Sequence, residues 1–245
     1  MEDDAGPVTV FWRSLVKTTA AVFLTVVVPA MAGAHPFPFD IREMAGFEVL
    51  TTEDGAVDAR DMVVIRYRGP VAFPMAQNLR RIWSEISRVP RFRTVVVRLD
   101  SPGGLQSHGA EVIDILREIR ESRELVTLVA EGDLCASMCV PLFIQGSSRI
   151  ASPASAWMFH GAARFMSNVP HLPMTQRYVE HFIEREVGVA FVQSLLRENY
   201  LTLPGEYWLS GSELAAVSDI ITRLVPNWKP AVAEYGPAGG ILPSI

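Results

Sequence analysis

The sequence predicts an α/β domain with a mainly parallel sheet, and three observations carry that prediction. Runs rich in β-branched residues alternate with amphipathic stretches through the middle of the chain, the pattern of strands joined by helical crossovers. One such strand, Thr94 to Asp100, runs straight into Ser101-Pro102-Gly103-Gly104. Glycines therefore stand at a strand's C-terminal end, where open α/β sheets gather their ligands. The composition, 49% hydrophobic and 20% charged over 245 residues, is that of a globular chain long enough for one substantial domain plus extras.

Taken in order, residues 1–34 read as a targeting segment. A polar start carrying Arg13 and Lys17 precedes an apolar run from Ala20 to Val28, and Ala32-Gly33-Ala34 fits a small-residue cleavage site. The segment is then a signal peptide or, left uncleaved, an N-terminal membrane anchor over Val8 to Ala34. Its acidic opening, Glu2-Asp3-Asp4, is unusual for a leader, and a buried N-terminal helix is the alternative. Residues 35–60 form a linker and N-terminal extension. His35 to Asp40 holds two prolines, and a short strand from Phe47 to Thr52 is broken by Glu53-Asp54-Gly55.

The main domain spans 61–226. Met62 to Tyr67 is a strand, and Met75 to Arg88 is a helix with Leu79, Ile82, Trp83 and Ile86 on one face. Pro90 separates it from the Thr94 strand. A helix from Ser107 to Arg120 buries Val112, Ile115, Leu116 and Ile119, and Leu125 to Ala130 is the next strand. Val140 to Ile144 reads as a short buried helix between Gly132-Asp133 and Gly146. Ala156 to His160 is a strand ending in histidine, and the loop from Gly161 to Pro173 is expected to border a groove. Helices follow over Met174 to Val187, with Tyr178, Phe182 and Ile183, and over Val189 to Asn199, with Val192, Leu195 and Leu196. Gly188 interrupts them. Residues 227–245, rich in Pro, Gly and Ala, read as a loosely ordered tail.

The candidate chemistry lies in Cys135-Ala136-Ser137-Met138-Cys139. A serine at a turn before a buried helix stands where backbone N–H groups favour negative charge, which suits an attacking alkoxide and the oxyanion it produces. The alternative is that Ser137 merely caps the helix. Gly103 and Gly104 would let backbone approach a ligand, and the phosphate-binding patterns G-x-G-x-x-G and G-x-x-x-x-G-K-[ST] are absent. His160 stands at a strand end after the candidate nucleophile, the position of a general base.

The ordered set of strand–SPGG–helix, then Ala136-Ser137 before a buried helix, then a strand ending in Phe159-His160, resembles the ClpP/crotonase superfamily over about Met62 to Val225. Within it the set resembles the Clp protease proteolytic subunit, and the flanking cysteines look most like a periplasmic ClpP-like branch with C-x-S-x-C around the serine. The resemblance implies a ClpP/crotonase-like sheet with right-handed ββα-type crossovers, and a helical handle in the Met174 to Asn199 region through which subunits join as a homo-oligomer. It implies Ser137 as nucleophile, His160 as base, and the backbone N–H groups of Gly104 and Met138 as the oxyanion hole. The family's third residue, an aspartate, aligns with Glu206, which either orients His160 or is a solvated loop residue. Some relatives use a Ser–Lys dyad. Here the only lysines are Lys17 and Lys229, both outside the resembling core, and arginine cannot act as a base.

Cys135 and Cys139 are too few for a zinc site. At i, i+4 they form a candidate disulfide in an exported protein, or pack as buried thiols. His108, His171 and His181 have no partners at metal-ligand spacing, so no metal and no cofactor is expected. A net charge of −5 with scattered arginines gives nucleic-acid binding no support. The expected partner is a peptide or protein substrate. A membrane contact would run through the N-terminus, and no ATPase partner is expected outside the cytoplasm. Three classes follow: an extracytoplasmic Ser–His peptidase, favoured; a crotonase-like acyl-thioester enzyme, which would need no Ser–His pair; and an inactive scaffold or peptide-binding module.

Overall fold

The computed structural model describes residues 43–50, 61–164, 167 and 169–227, all within the compact unit Gly33–Ile245. The leader or anchor expected over 1–34, the linker at 35–40, the break after Leu50 and the tail beyond Asn227 lie outside the described residues. Among the described residues no helix is long and apolar enough to cross a membrane.

Among the described residues, ten strands form two sheets. In the larger, β1 (Glu43–Met44), β2 (Phe47–Leu50), β3 (Met62–Arg68), β4 (Thr94–Asp100), β5 (Glu124–Val129), β7 (Ser148–Ala151) and β10 (Arg223–Leu224) lie side by side in that order. The pairs from β3 through β10 are parallel, while β1/β2 and β2/β3 are antiparallel. The expected mainly parallel sheet is present, with antiparallel strands confined to one edge.

Helix α1 (Met75–Ile86) and helix α2 (Gln106–Ser122) are the crossovers. The apolar positions at helical spacing are the ones buried: Leu79, Ile82, Trp83 and Ile86 in α1, and Val112, Ile115, Leu116 and Ile119 in α2. They pack with Ile65, Val95, Val97 and Leu99 in one large core, while Val64, Val96, Val126 and Ile150 form a smaller cluster. Alternation along β3 and β4 sorts those two sets, because neighbouring strand residues point to opposite faces.

The smaller sheet holds β6 (Leu134–Ala136), β8 (Ala156–Phe159) and β9 (Tyr207–Ser210). Helix α3 (Cys139–Phe143) follows β6 and is wholly buried; it includes Pro141, which the first turn tolerates because its N–H groups lack intrahelical partners. Helix α4 (Leu172–Arg185) ends at Glu186 in the left-handed conformation, and helix α5 (Val189–Arg197) begins after Gly188 at φ 67°. A Cβ on Gly188 would strike Ile220, so glycine answers both a backbone and a packing demand there. Tyr178, Phe182, Val192 and Leu195 from these two helices are buried in the main core, whereas Ile183 is exposed. Helix α6 (Gly211–Val217) opens on a reciprocal cap between Ser210 and Glu213.

Candidate active site

Register explains why the candidate residues meet. β6 and β8 run parallel with Ala136 opposite Met158, so the residues that follow them, Ser137 and His160, emerge at the same end of the small sheet. β9 runs antiparallel to β8 with Phe159 opposite Tyr207, and so the residue before it, Glu206, lies at that end too. The fourth segment comes from the large sheet. Ser101 bridges Cys135, its N–H donating to the Leu134 carbonyl (2.7 Å) and its carbonyl accepting from Ala136 N–H (3.0 Å). Asp100 adds a bond from Leu134 N–H to its Oδ1 (3.1 Å). The loop entering β6 is held by Asp133, a buried carboxylate gripped by Arg98 through Nε (2.6 Å) and Nη2 (2.8 Å).

These bonds bring Gly103-Gly104 against the serine turn. A Cβ on Gly103 would stand 2.7 Å from that of Ser137 and 2.5 Å from the Ala136 carbonyl oxygen, so no larger residue fits. Gly104, at φ 155°, lies against the Val71 backbone. The bridge there uses the Gly103 carbonyl, which accepts from Val71 N–H (2.7 Å), and Leu105 N–H, which donates to the Val71 carbonyl (2.8 Å). That pattern leaves the Gly104 N–H turned away from Val71. Among the described residues neither it nor the Met138 N–H has a hydrogen-bond partner.

Ser137 has φ 51°, a left-handed conformation that few non-glycine residues adopt. It is fixed by a bond from its N–H to the Met158 carbonyl (2.8 Å) and by Val140 N–H donating to its carbonyl (3.0 Å). The alternative of a capping serine is not what forms. The N-cap position belongs to Met138, and no side chain caps α3. Cys135 and Cys139 are joined as a disulfide across this turn, with Cα atoms 5.2 Å apart, and both are buried.

Ser137, His160, Gly104 and Met138 line one pocket of about 170 Å³. No hydrogen bond links Ser137 to the His160 ring; catalytic bonds of this kind are often long until substrate is bound. Burial lowers the pKa of His160 below the ordinary histidine value, against smaller upward pulls from the Glu206 charge and from a hydrogen bond to the Gly161 backbone. The imidazole is thus neutral near pH 7, the form a base requires. Glu206 acts on it only through space. The carboxylate is exposed and accepts instead from Trp208 Nε1 (2.9 Å), two residues along the strand and on the same face.

Arg164, Met174 and Tyr178 also line the pocket, a role the sequence did not assign to them. The loop expected to border a groove does so, through Ala162, Ala163, Arg164 and Ser167. Tyr178 is buried with its hydroxyl unpartnered, and nothing in a helical tyrosine's sequence position announces that. Of the other histidines, His108 stands 3.9 Å from Glu111, His171 bonds Arg164, and His181 is half-buried with Nδ1 unpartnered. No cluster of potential metal ligands occurs among the described residues.

No family model and no curated protein matches the sequence. Among solved structures, the chain is similar to that of a ClpP1 mutant from Listeria monocytogenes, with a TM-score of 0.50 and 14% sequence identity over 67% of this chain and 91% of that one. At such identity the likeness concerns architecture. The chain has a ClpP-like fold.

Proposed function

We propose that the chain is an extracytoplasmic serine peptidase. Ser137 Oγ attacks the substrate carbonyl carbon while His160 takes its proton. The oxyanion is held by the N–H groups of Gly104 and Met138. His160 then returns the proton to the leaving amine, leaving an acyl-serine. Water, deprotonated by the same imidazole, releases the acid and restores the hydroxyl. The observation that supports this reading is the shared pocket: Ser137, His160, Gly104 and Met138 line the same space, and the N–H groups of the last two have no partner among the described residues.

Export, by a cleaved leader or an uncleaved anchor within residues 1–34, belongs to the same proposal, as do assembly through the α4–α5 region and the C-x-S-x-C branch. A second reading, a peptide-binding scaffold without turnover, draws on the Glu206 carboxylate bonding Trp208 in place of His160. A fluorophosphonate probe separates the two. Labelling of the wild type that disappears in Ser137→Ala is expected. A wild type that resists labelling, or an alanine variant that still reacts, rejects the peptidase.

A further inference from the structure

The pocket beside Ser137 has a charge character that the peptidase reading leaves unused. None of its described lining residues is an aspartate or glutamate, and its one permanent charge is the Arg164 guanidinium. Some arginines of this acidic chain face carboxylates, Arg68 on Asp100 and Arg98 on Asp133, and others, Arg120 and Arg149 among them, bond backbone carbonyls. Arg164 is the one that lines this pocket. Its Nη2 lies 2.9 Å from His171 Nε2, and since arginine only donates, that nitrogen must accept. A ring nitrogen in that role brings the guanidinium no counter-charge. No carboxylate of the described residues stands at ion-pair distance from it.

The strand-like arm carrying Arg164 is built rather than trailing. Ala163 bridges Pro170, His171 N–H donates to the Ala162 carbonyl (2.7 Å), and Ala162 N–H donates to Thr175 Oγ1 (3.1 Å). Thr175 belongs to α4 and is buried, so the arm is tied to the core. Leu105, Met138 and Met174 also line the pocket and supply apolar wall. A short methylene stem tipped with a carboxylate matches both halves, because guanidinium and carboxylate can form paired charge-assisted hydrogen bonds.

We propose that this pocket selects an acidic side chain, glutamate or aspartate, at the residue whose carbonyl is attacked, and that Arg164 is the residue that selects it. The proposal rests on the peptidase reading for its register, and its test does not depend on turnover. Peptides identical except for Glu, Gln or Met at that position are titrated onto the full chain carrying Ser137→Ala, alone and combined with Arg164→Gln or Arg164→Lys. The glutamate peptide is expected to bind about tenfold or more tightly than the glutamine peptide in low salt. That advantage should vanish in Arg164→Gln, survive in part in Arg164→Lys, and shrink as added salt screens the exposed charge. Equal binding of all three peptides, a glutamate advantage that persists in Arg164→Gln, or no binding at all overturns the proposal. Fluorophosphonate labelling of the wild type reads the other claim. A labelled enzyme without glutamate preference loses only the acidic pocket, and a discriminating chain that resists labelling loses only the peptidase.

Discussion

Burial of a single hydroxyl gives the sharpest residue-scale expectation. Tyr178 is 2% exposed, its hydroxyl has no partner, and burial pushes the phenol far above its ordinary pKa, so the group stays protonated and unsatisfied. Removing an unpaired buried polar atom relieves a desolvation cost of about 1 kcal/mol or more. Tyr178→Phe should therefore raise the melting temperature, read by calorimetry; a fall would mean that the hydroxyl bonds something in solution. His160 provides the second expectation. Burial lowers its pKa and the Glu206 charge opposes that, so the acid limb of kcat/KM against pH should lie below the ordinary histidine value. Glu206→Gln removes a charge that favours imidazolium, so the limb should move to still lower pH. A limb that shifts upward, or does not move, would deny Glu206 any hold on the base.

At the scale of elements, the turn between β6 and α3 decides how the candidate nucleophile is presented. Ser137 occupies a left-handed conformation that a serine seldom adopts, and the surrounding structure must over-determine it. The Met158 carbonyl, the Val140 amide and the flanking disulfide do so. With Cys135 and Cys139 bridged, thiol titration of the native chain should find no free thiol before reductant and two after denaturing reduction. Two titratable thiols in the untreated, unfolded chain would exclude it. The helices and strands around this turn were readable from apolar periodicity: β4 spans the expected Thr94–Asp100, and α1 and α2 differ from expectation by one or two residues at their ends. The acid partner was less readable. Aligning Glu206 with an aspartate picks a residue just before β9, at the sheet end where Ser137 and His160 emerge, but no one-dimensional pattern shows that the indole two residues on captures its carboxylate. Arg164 was equally hidden, since its meaning depends on the absence of a neighbouring carboxylate in three dimensions rather than on its sequence neighbours.

For the whole molecule, the division into two sheets separates support from chemistry. The seven-stranded sheet and its helices hold most of the core. The three-stranded sheet carries the ends on which Ser137, His160 and Glu206 sit, and the C-terminal end of β4 with the Ser101–Gly104 segment reaches across from the larger one. The buried Arg149 on β7 extends that support to the C-terminal side, donating from Nε to the Ile220 carbonyl (2.8 Å) and from Nη2 to that of Asp219 (3.0 Å). Alternation of strands and helices made the larger sheet legible. Of the smaller one only β8 was legible, as Ala156 to His160; its strands are three or four residues long and pair across gaps that periodicity does not register.

That small sheet also sets a timetable. Its third strand starts only at Tyr207, some seventy positions after the serine, and lies on the outer side of β8. A chain still emerging from the ribosome can build the large sheet through β7 before β9 arrives, and only β10 of that sheet comes later. Until then the strand that ends beside His160 keeps a bare edge on that side, and synthesis leaves it unflanked until nearly all of the described protein has been made.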